Sequence, residues 1–228
     1  MRSTSGGKLD SNHYKIRRNA CARIFIVNTK ENAESAPRAR GRPRGFDMET
    51  ALDTGQRLFH AGSYDAVGLA ALTDALGVKP PSFYKAFGSK SEFFAQVIER
   101  YAQAALALDE ILLPDRAPVD ALAELLESAA RTYARDPEQR GCLVLEAARG
   151  PDGDDSAIHA RRVANQRRDR IREFVARTHP ERASAVTDFV ASTMSGLSAS
   201  AREGMDESRL LDVARTAVAG LKAQLDAD

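Results

Sequence analysis

Apolar positions recur at spacings of three and four along most of this chain, while period-two alternation is scarce. The pattern predicts an all-α protein. Met48, Ala51, Leu52, Gly55, Leu58 and Phe59 form a first stripe, ended by Ala61-Gly62-Ser63. Leu69, Leu72 and Leu76 form a short second one, with Thr73 and Asp74 off it and facing outward. Gly77 suits a left-handed residue closing that helix, and Val78 plugs the angle beyond it. Pro81 stands near the first turn of a third helix, where a missing N–H costs nothing. Phe83 and Phe87, four apart, anchor this helix, so Ser82, Tyr84 and Lys85 point elsewhere. Residues 68–87 thus have the layout of a helix-turn-helix, or of a plain helical hairpin inside a bundle.

A capping signal at Ser89 opens a longer helix carrying Phe94, Val97, Ile98, Tyr101, Ala105, Leu108 and Leu112, which stops before Pro114. The next starts near Pro118 and ends at Asp136-Pro137, and a shorter one follows Gly141. Residues 150–155 form a loop; Asp152, Asp154 and Asp155 there lack the distal glutamate of a calcium-binding loop. A basic helix at 156–178 places Val163, Ile171, Phe174 and Val175 in the core. Its arginines, among them Arg161, Arg167, Arg170 and Arg172, read as a solvated face partly paired with acids. Two apolar helices, 181–202 and 207–225, end the chain. Their stripes and their small residues Ser192, Gly196, Ala199 and Gly220 permit close helix approach, within the molecule or with a second copy.

Charge changes this picture. The net charge is only +1, but residues 1–46 hold eleven lysines and arginines against three acids. The arm is therefore +8 and the remainder −7, a distribution suited to local contact with nucleic acid. Arg40, Arg42 and Arg44 lie in the run Arg38-Ala39-Arg40-Gly41-Arg42-Pro43-Arg44-Gly45, thin and extended because of its glycine and proline. The run resembles the core of an AT-hook, which inserts arginines into the minor groove; the alternative is a solvated basic linker.

The block from Gly45 to about Ala105 resembles the DNA-binding domain of the TetR/AcrR family of bacterial regulators. The likeness rests on Ala51-Leu52, Leu58-Phe59, Gly62, Tyr64, Leu72-Thr73 and the ordered string Gly77-Val78-x-x-x-Ser82-Phe83-Tyr84-x-x-Phe87-x-Ser89-Lys90. Beyond this block the chain is similar to the family only in helical character and length. Charge and composition mark a basic, flexible arm at 1–44, and the resemblance implies a DNA-binding domain at 45–105 with its motif at 68–87 and an effector-binding and dimerisation domain at 106–228. It places Tyr84 and Lys90 on the phosphate backbone, Lys79, Pro80, Ser82 and Lys85 on or near the helix facing bases, and Thr73 close to the backbone. Where the family carries Ser or Thr at the start of the helix before the turn, this chain has Val67 and Gly68, so that hydroxyl contact is lost. The last two helices would pair with their copies in a homodimer.

The middle helices offer a candidate pocket, with Phe94, Tyr101, Tyr133, Cys142, Glu146, Phe174, Phe189 and Met194 mixing apolar bulk with polar tips. Arg140-Gly141-Cys142-Leu143 resembles a Gly-Cys-Leu helix start found in one branch of the family. Cys142 is either a buried inert thiol or a redox-active one. Catalytic signatures are missing: the four histidines have no metal-ligand spacing, and neither a Gly-x-Ser-x-Gly elbow nor a phosphate-binding loop occurs. No cofactor or metal is expected. Two cysteines make no disulfide framework, and no apolar run is long enough to span a membrane, which suggests a cytoplasmic protein. The expected function is an effector-responsive repressor that binds a palindromic operator as a dimer. The alternatives are an activator or ligand-independent DNA binder, and a helical small-molecule-binding or adaptor protein without DNA affinity.

Overall fold

A computed structural model describes residues 47–225. The arm with Arg40, Arg42 and Arg44 lies outside the described residues. Every regular element among those described is helical, as the apolar spacing predicts.

Helix α1 (Met48–Ala66) starts at Asp47, whose carboxylate accepts the Glu49 N–H at 3.2 Å. At Ser63 the backbone leaves the helical region, with φ 62° and ψ 166°. The expected end at 61–63 is therefore a kink, and one further turn follows. Helices α2 (Leu69–Leu76) and α3 (Pro80–Phe87) meet at Gly77, which adopts φ 64° and ψ 29°. Its N–H reaches the Asp74 carbonyl at 3.1 Å, and the Val78 N–H reaches that of Thr73 at 3.0 Å. The last carbonyls of α2 are thereby satisfied within a single turn. Helix α4 (Lys90–Ala105) opens at Ser89, whose hydroxyl oxygen accepts the Glu92 N–H at 3.0 Å.

These four helices close on an aromatic cluster. Phe59, Phe83, Phe93 and Phe94 are fully buried with Leu72. Ring centroids lie 4.4 Å apart for Phe87–Phe93, 4.8 Å for Phe59–Phe94 and 5.4 Å for Phe83–Phe93, all edge-to-face. Phe94 belongs to this cluster and does not line the pocket proposed from the sequence.

The remaining helices are α5 (Leu108–Ile111), α6 (Pro118–Ala134), α7 (Leu143–Ala147), α8 (Asp155–Ala176), α9 (Ala183–Arg202) and α10 (Glu207–Leu225), with a 3-10 turn at Pro180–Arg182. Helix α6 is the central staff of this bundle, its Ala121, Leu122, Leu125, Leu126, Ala129 and Ala130 entirely buried. It packs against α9 and α10.

Two expectations fail here for one reason. The helix expected to run from Lys90 to Pro114 breaks at Leu106, where φ is −144° and ψ is 108°. Arg167, read from the sequence as solvated, turns inward and donates to the Ala102 carbonyl at 2.6 Å and the Leu106 carbonyl at 2.8 Å. Its guanidinium takes over the terminal carbonyls of α4, so the chain need not continue as helix. Arg161 likewise donates to the Ala148 carbonyl at 3.0 Å and to that of Gly150, while its ion pair with Asp152 spans 2.9 Å.

The turn at Gly77 yields a direct test. A β-branched side chain at φ 64° is strained. Gly77→Val is expected to destabilise the protein by about 1–2 kcal/mol or more, whereas Gly77→Asn, whose side chain tolerates this region, costs less. Urea denaturation of both variants measures the difference.

Candidate nucleic-acid interface

Helix α3 spans little more than two turns, and Phe83 and Phe87 consume its inner face. Geometry then turns the rest outward. Lys79, Pro80, Pro81, Ser82, Tyr84, Lys85 and Ala86 are all exposed, Tyr84 by 50%. The Tyr84 ring leans edge-on against Phe83 at 6.0 Å, which steadies it while its hydroxyl stays accessible. The ridge from Lys79 to Lys85 presents two ammonium groups, two hydroxyls and a flat ring. Such groups donate to phosphate oxygens and to acceptors on base edges.

Thr73 is a correction. It is 3% exposed, and its hydroxyl donates to the Ala70 carbonyl at 3.0 Å. Helix α2 packs against both α1 and α3, so its buried arc is wider than the leucine stripe and takes in Thr73. With its hydroxyl satisfied inside the helix, Thr73 has nothing to offer a phosphate. Gly68 is the N-cap of α2 without a side-chain hydrogen bond, and Val67 is buried, so no hydroxyl replaces the one lost there.

Lys90, in the first turn of α4, is partly buried, with its ammonium 3.9 Å from the centre of the Tyr64 ring. Burial pulls its pKa below the ordinary lysine value, against the opposing pull of Asp65 and Asp154. The charge is held over the Tyr64 ring of α1 rather than left to wander.

The expected pocket residues divide. Tyr101, Tyr133, Cys142 and Met194 line one cavity of about 70 Å³ bounded by α4, α6, α7, α8 and α9, together with Arg167. Glu146 is engaged elsewhere: the Ser198 hydroxyl donates to it at 3.1 Å, and it pairs with Arg149 at 3.6 Å and Arg202 at 3.9 Å. Phe174 is core, and Phe189 is 43% exposed on α9 in a surface groove beside Gly220. Among the cavity residues that sequence reasoning missed are two arginines, Arg167 and the exposed Arg168, and Arg167 is the one turned inward. The available signal was its position four residues from both Val163 and Ile171, on the apolar row of α8.

The Gly141-Cys142 segment ties this cavity to α9. Gly141 has φ 81°, and a Cβ there would lie 3.0 Å from the Ser198 carbonyl oxygen. The Cys142 N–H donates to the Ser198 hydroxyl at 2.9 Å. Cys142 is buried, and burial pushes its thiol pKa up, so it stays protonated. A second group missed in the sequence, His60, is buried on α1 against Tyr101, with ring centroids 5.6 Å apart. Neither of its ring nitrogens makes a hydrogen bond of acceptable geometry, although the backbone of Arg140 and Gly141 lies close by.

A short exposed helix standing on a tight glycine turn, backed by an aromatic core, defines a helix-turn-helix DNA-binding protein. The comparisons agree. Residues 51–97 match the model of the bacterial regulatory proteins of the tetR family. The chain is 41% identical over 192 residues to the HTH-type transcriptional repressor BdcR of Escherichia coli (strain K12), spanning 83% of this chain and 96% of that one. It is 27% identical over 199 residues to the HTH-type transcriptional repressor ComR of the same organism, spanning 82% and 94%. A cysteine mutant of the TetR family regulator CifR, solved with 26-base-pair double-strand operator DNA, superposes with a TM-score of 0.66 at 31% identity, covering 78% of this chain and 98% of that one. The chain belongs to the TetR family, and it is a DNA-binding transcriptional regulator. Among the described residues no acidic, histidine or cysteine cluster fits a metal ion, and no helix is long and apolar enough to cross a membrane.

Burial holds the His60 pKa below its ordinary 6.5, and Arg202 adds to the shift. The unfolded chain therefore binds a proton near pH 6.5 that the folded one refuses. Stability is complete above that pH and declines below it, until the folded His60 also titrates. The aspartates with lowered pKa, Asp47, Asp109, Asp136, Asp154 and Asp206, act further down, near and below their ordinary 3.8. His60→Leu is expected to flatten the fall in urea midpoint between about pH 7 and 5; an unchanged slope contradicts this.

Proposed function

We propose that this regulator is an effector-responsive repressor that binds a palindromic operator as a homodimer. The observation that carries the DNA half is the outward ridge of Ser82, Tyr84 and Lys85 over a sealed Phe83–Phe87 face. In this reading Lys79, Pro80, Ser82 and Lys85 meet base edges, while Tyr84 and Lys90 hold the phosphate backbone. Arg40, Arg42 and Arg44 add a minor-groove contact from the arm. The names of BdcR and ComR, both repressors, support the direction of regulation.

The surface of α9 and α10 supports the dimer. Their inner faces are consumed within the protomer by Val186, Val190 and Leu197, and by Leu210, Ala214 and Leu221. Each helix still shows apolar or small residues outward: Phe189 and Gly196 on α9, Val213 and Gly220 on α10. Such a face suits a second copy across a twofold axis. Two recognition helices then meet half-sites about 34–36 Å apart, or a multiple of that. An effector in the bundle favours a different separation of the heads and releases the operator, a population shift needing only about 1–3 kcal/mol of coupling.

Fluorescence anisotropy with DNA taken from beside the gene tests the reading. Lys90→Ala is expected to weaken binding similarly for all sequences and to reduce the salt slope by about one. Lys85→Ala and Ser82→Ala instead change the preferred sequence, and alanine at Arg40, Arg42 and Arg44 together costs most on AT-rich flanks. Wild-type protein that binds no DNA, or binds with a flat salt response, contradicts the proposal.

For the dimer, light scattering at micromolar concentration is expected to give twice the chain mass, and Phe189→Asp with Val213→Asp to give the monomer.

A further inference from the structure

We propose that the cavity between α4, α6, α7, α8 and α9 receives a small organic monoanion, a short-chain carboxylate held by the Arg167 guanidinium and the Tyr133 hydroxyl. The inference deepens the effector-responsive reading above and rests on it.

The first observation is a cation without an anion. On α8, Arg161 pairs with Asp152 at 2.9 Å, Arg172 with Asp169 at 2.7 Å, and Arg170 with Asp109. Arg167 is the one of these four with no carboxylate within 4.0 Å among the described residues, and the exposed Arg168, which also lines the cavity, has none either. The acceptors of Arg167 are two neutral carbonyls, of Ala102 and Leu106. A guanidinium has five N–H donors, so capacity remains. Burial and the neighbouring Arg170 both disfavour its charge, and a bound anion would relieve both effects.

The second observation is a polar group with no partner. Tyr133 is 1% exposed and lines the same cavity, yet its hydroxyl makes no hydrogen bond of acceptable geometry, even to the nearby Cys142 thiol. Buried hydroxyls are normally satisfied. Phenylalanine would fill the same space without an unpaired donor. The donor and the cation share one cavity and are complementary to a single acceptor of negative charge.

The rest of the lining sets the body of the ligand. Beside the polar tips of Tyr101, Cys142 and a second arginine, Arg168, the walls at Ala102, Ala105, Ala164, Ile171 and Met194 offer hydrocarbon and little else. The cavity, about 70 Å³, is near half of the roughly 150 Å³ that admits benzene in an engineered core. Chains of about two to four carbons fit that space.

The position of Arg167 also supplies the link to DNA. Its two carbonyl acceptors belong to the C-terminal turn of α4 and the residue that caps it, and Lys90 beside α3 sits at the other end of that helix. A carboxylate makes the stronger, charge-assisted hydrogen bond. Binding on the remaining N–H donors therefore repositions the guanidinium that closes α4, and this alters how α4 carries the head.

Calorimetric titration of the full chain with propanoate and butanoate, against propanamide and butanamide, tests the site. The carboxylates are expected to bind saturably, at least about tenfold tighter than the amides, and to raise Tm. Arg167→Gln is expected to abolish the preference for the carboxylate. Because that variant also loses the α4 clamp, Tyr133→Phe provides the second arm: about five- to tenfold weaker carboxylate binding, with the ligand-free Tm unchanged or higher. Equal binding of acid and amide, no saturable binding at tens of millimolar, or unchanged affinity in Tyr133→Phe overturns the proposal. Anisotropy on operator DNA without ligand separates the two readings. Protein that binds DNA but no carboxylate keeps the regulator and loses the anion site; protein that binds carboxylate but no DNA does the reverse.

Discussion

Two phenylalanines decide which face of α3 points outward. A helix of eight residues has too few hydrogen bonds to stand alone in water. It exists because Phe83 and Phe87 are driven into the cluster with Phe59, Phe93 and Phe94, burying rings that each carry a large hydrophobic contribution. Once both rings are inside, the rotation of the helix about its axis is settled, and Ser82, Tyr84 and Lys85 have nowhere to go but outward. The Gly77 turn sets the angle at which this happens. The outward chemistry of α3 is a consequence of core packing rather than an addition to it.

The body is joined to that head through the ends of α4. At one end Ser89 caps the helix beside α3, with Lys90 lodged on Tyr64; at the other, Arg167 closes it from a helix 61 residues further along the chain. Between them Phe93, Phe94, Val97 and Ile98 are buried. One helix thus runs from the bundle cavity to the turn that follows α3. Whatever changes the partners of Arg167 acts on the whole of it.

Much of this was legible in the sequence because it is local. Apolar spacing gave the helices, Gly77 the turn, Ser89 the cap, and the pair Phe83–Phe87 the inner face of α3. What escaped was set by residues far apart in the chain. The break at Leu106 depends on Arg167, and nothing near Leu106 announces it. Thr73 looked outward because a leucine stripe marks one face, yet α2 is covered on two sides and the threonine can satisfy its own hydroxyl. Glu146 looked free to line a pocket, but Ser198 and Arg202 of α9 occupy it, together with its near neighbour Arg149. His60 gave no signal at all, being one polar residue at the end of an apolar stripe.

Methylation interference on the operator tests the central claim most directly, since a methyl group on guanine N7 stands in the major groove. The account predicts that such methylation blocks binding in two patches about one helical turn apart, or a multiple of it, and that the pattern changes at individual guanines when Lys85 is replaced. Interference confined to adenine N3 in the minor groove, with major-groove methylation tolerated throughout, would mean that α3 does not read DNA.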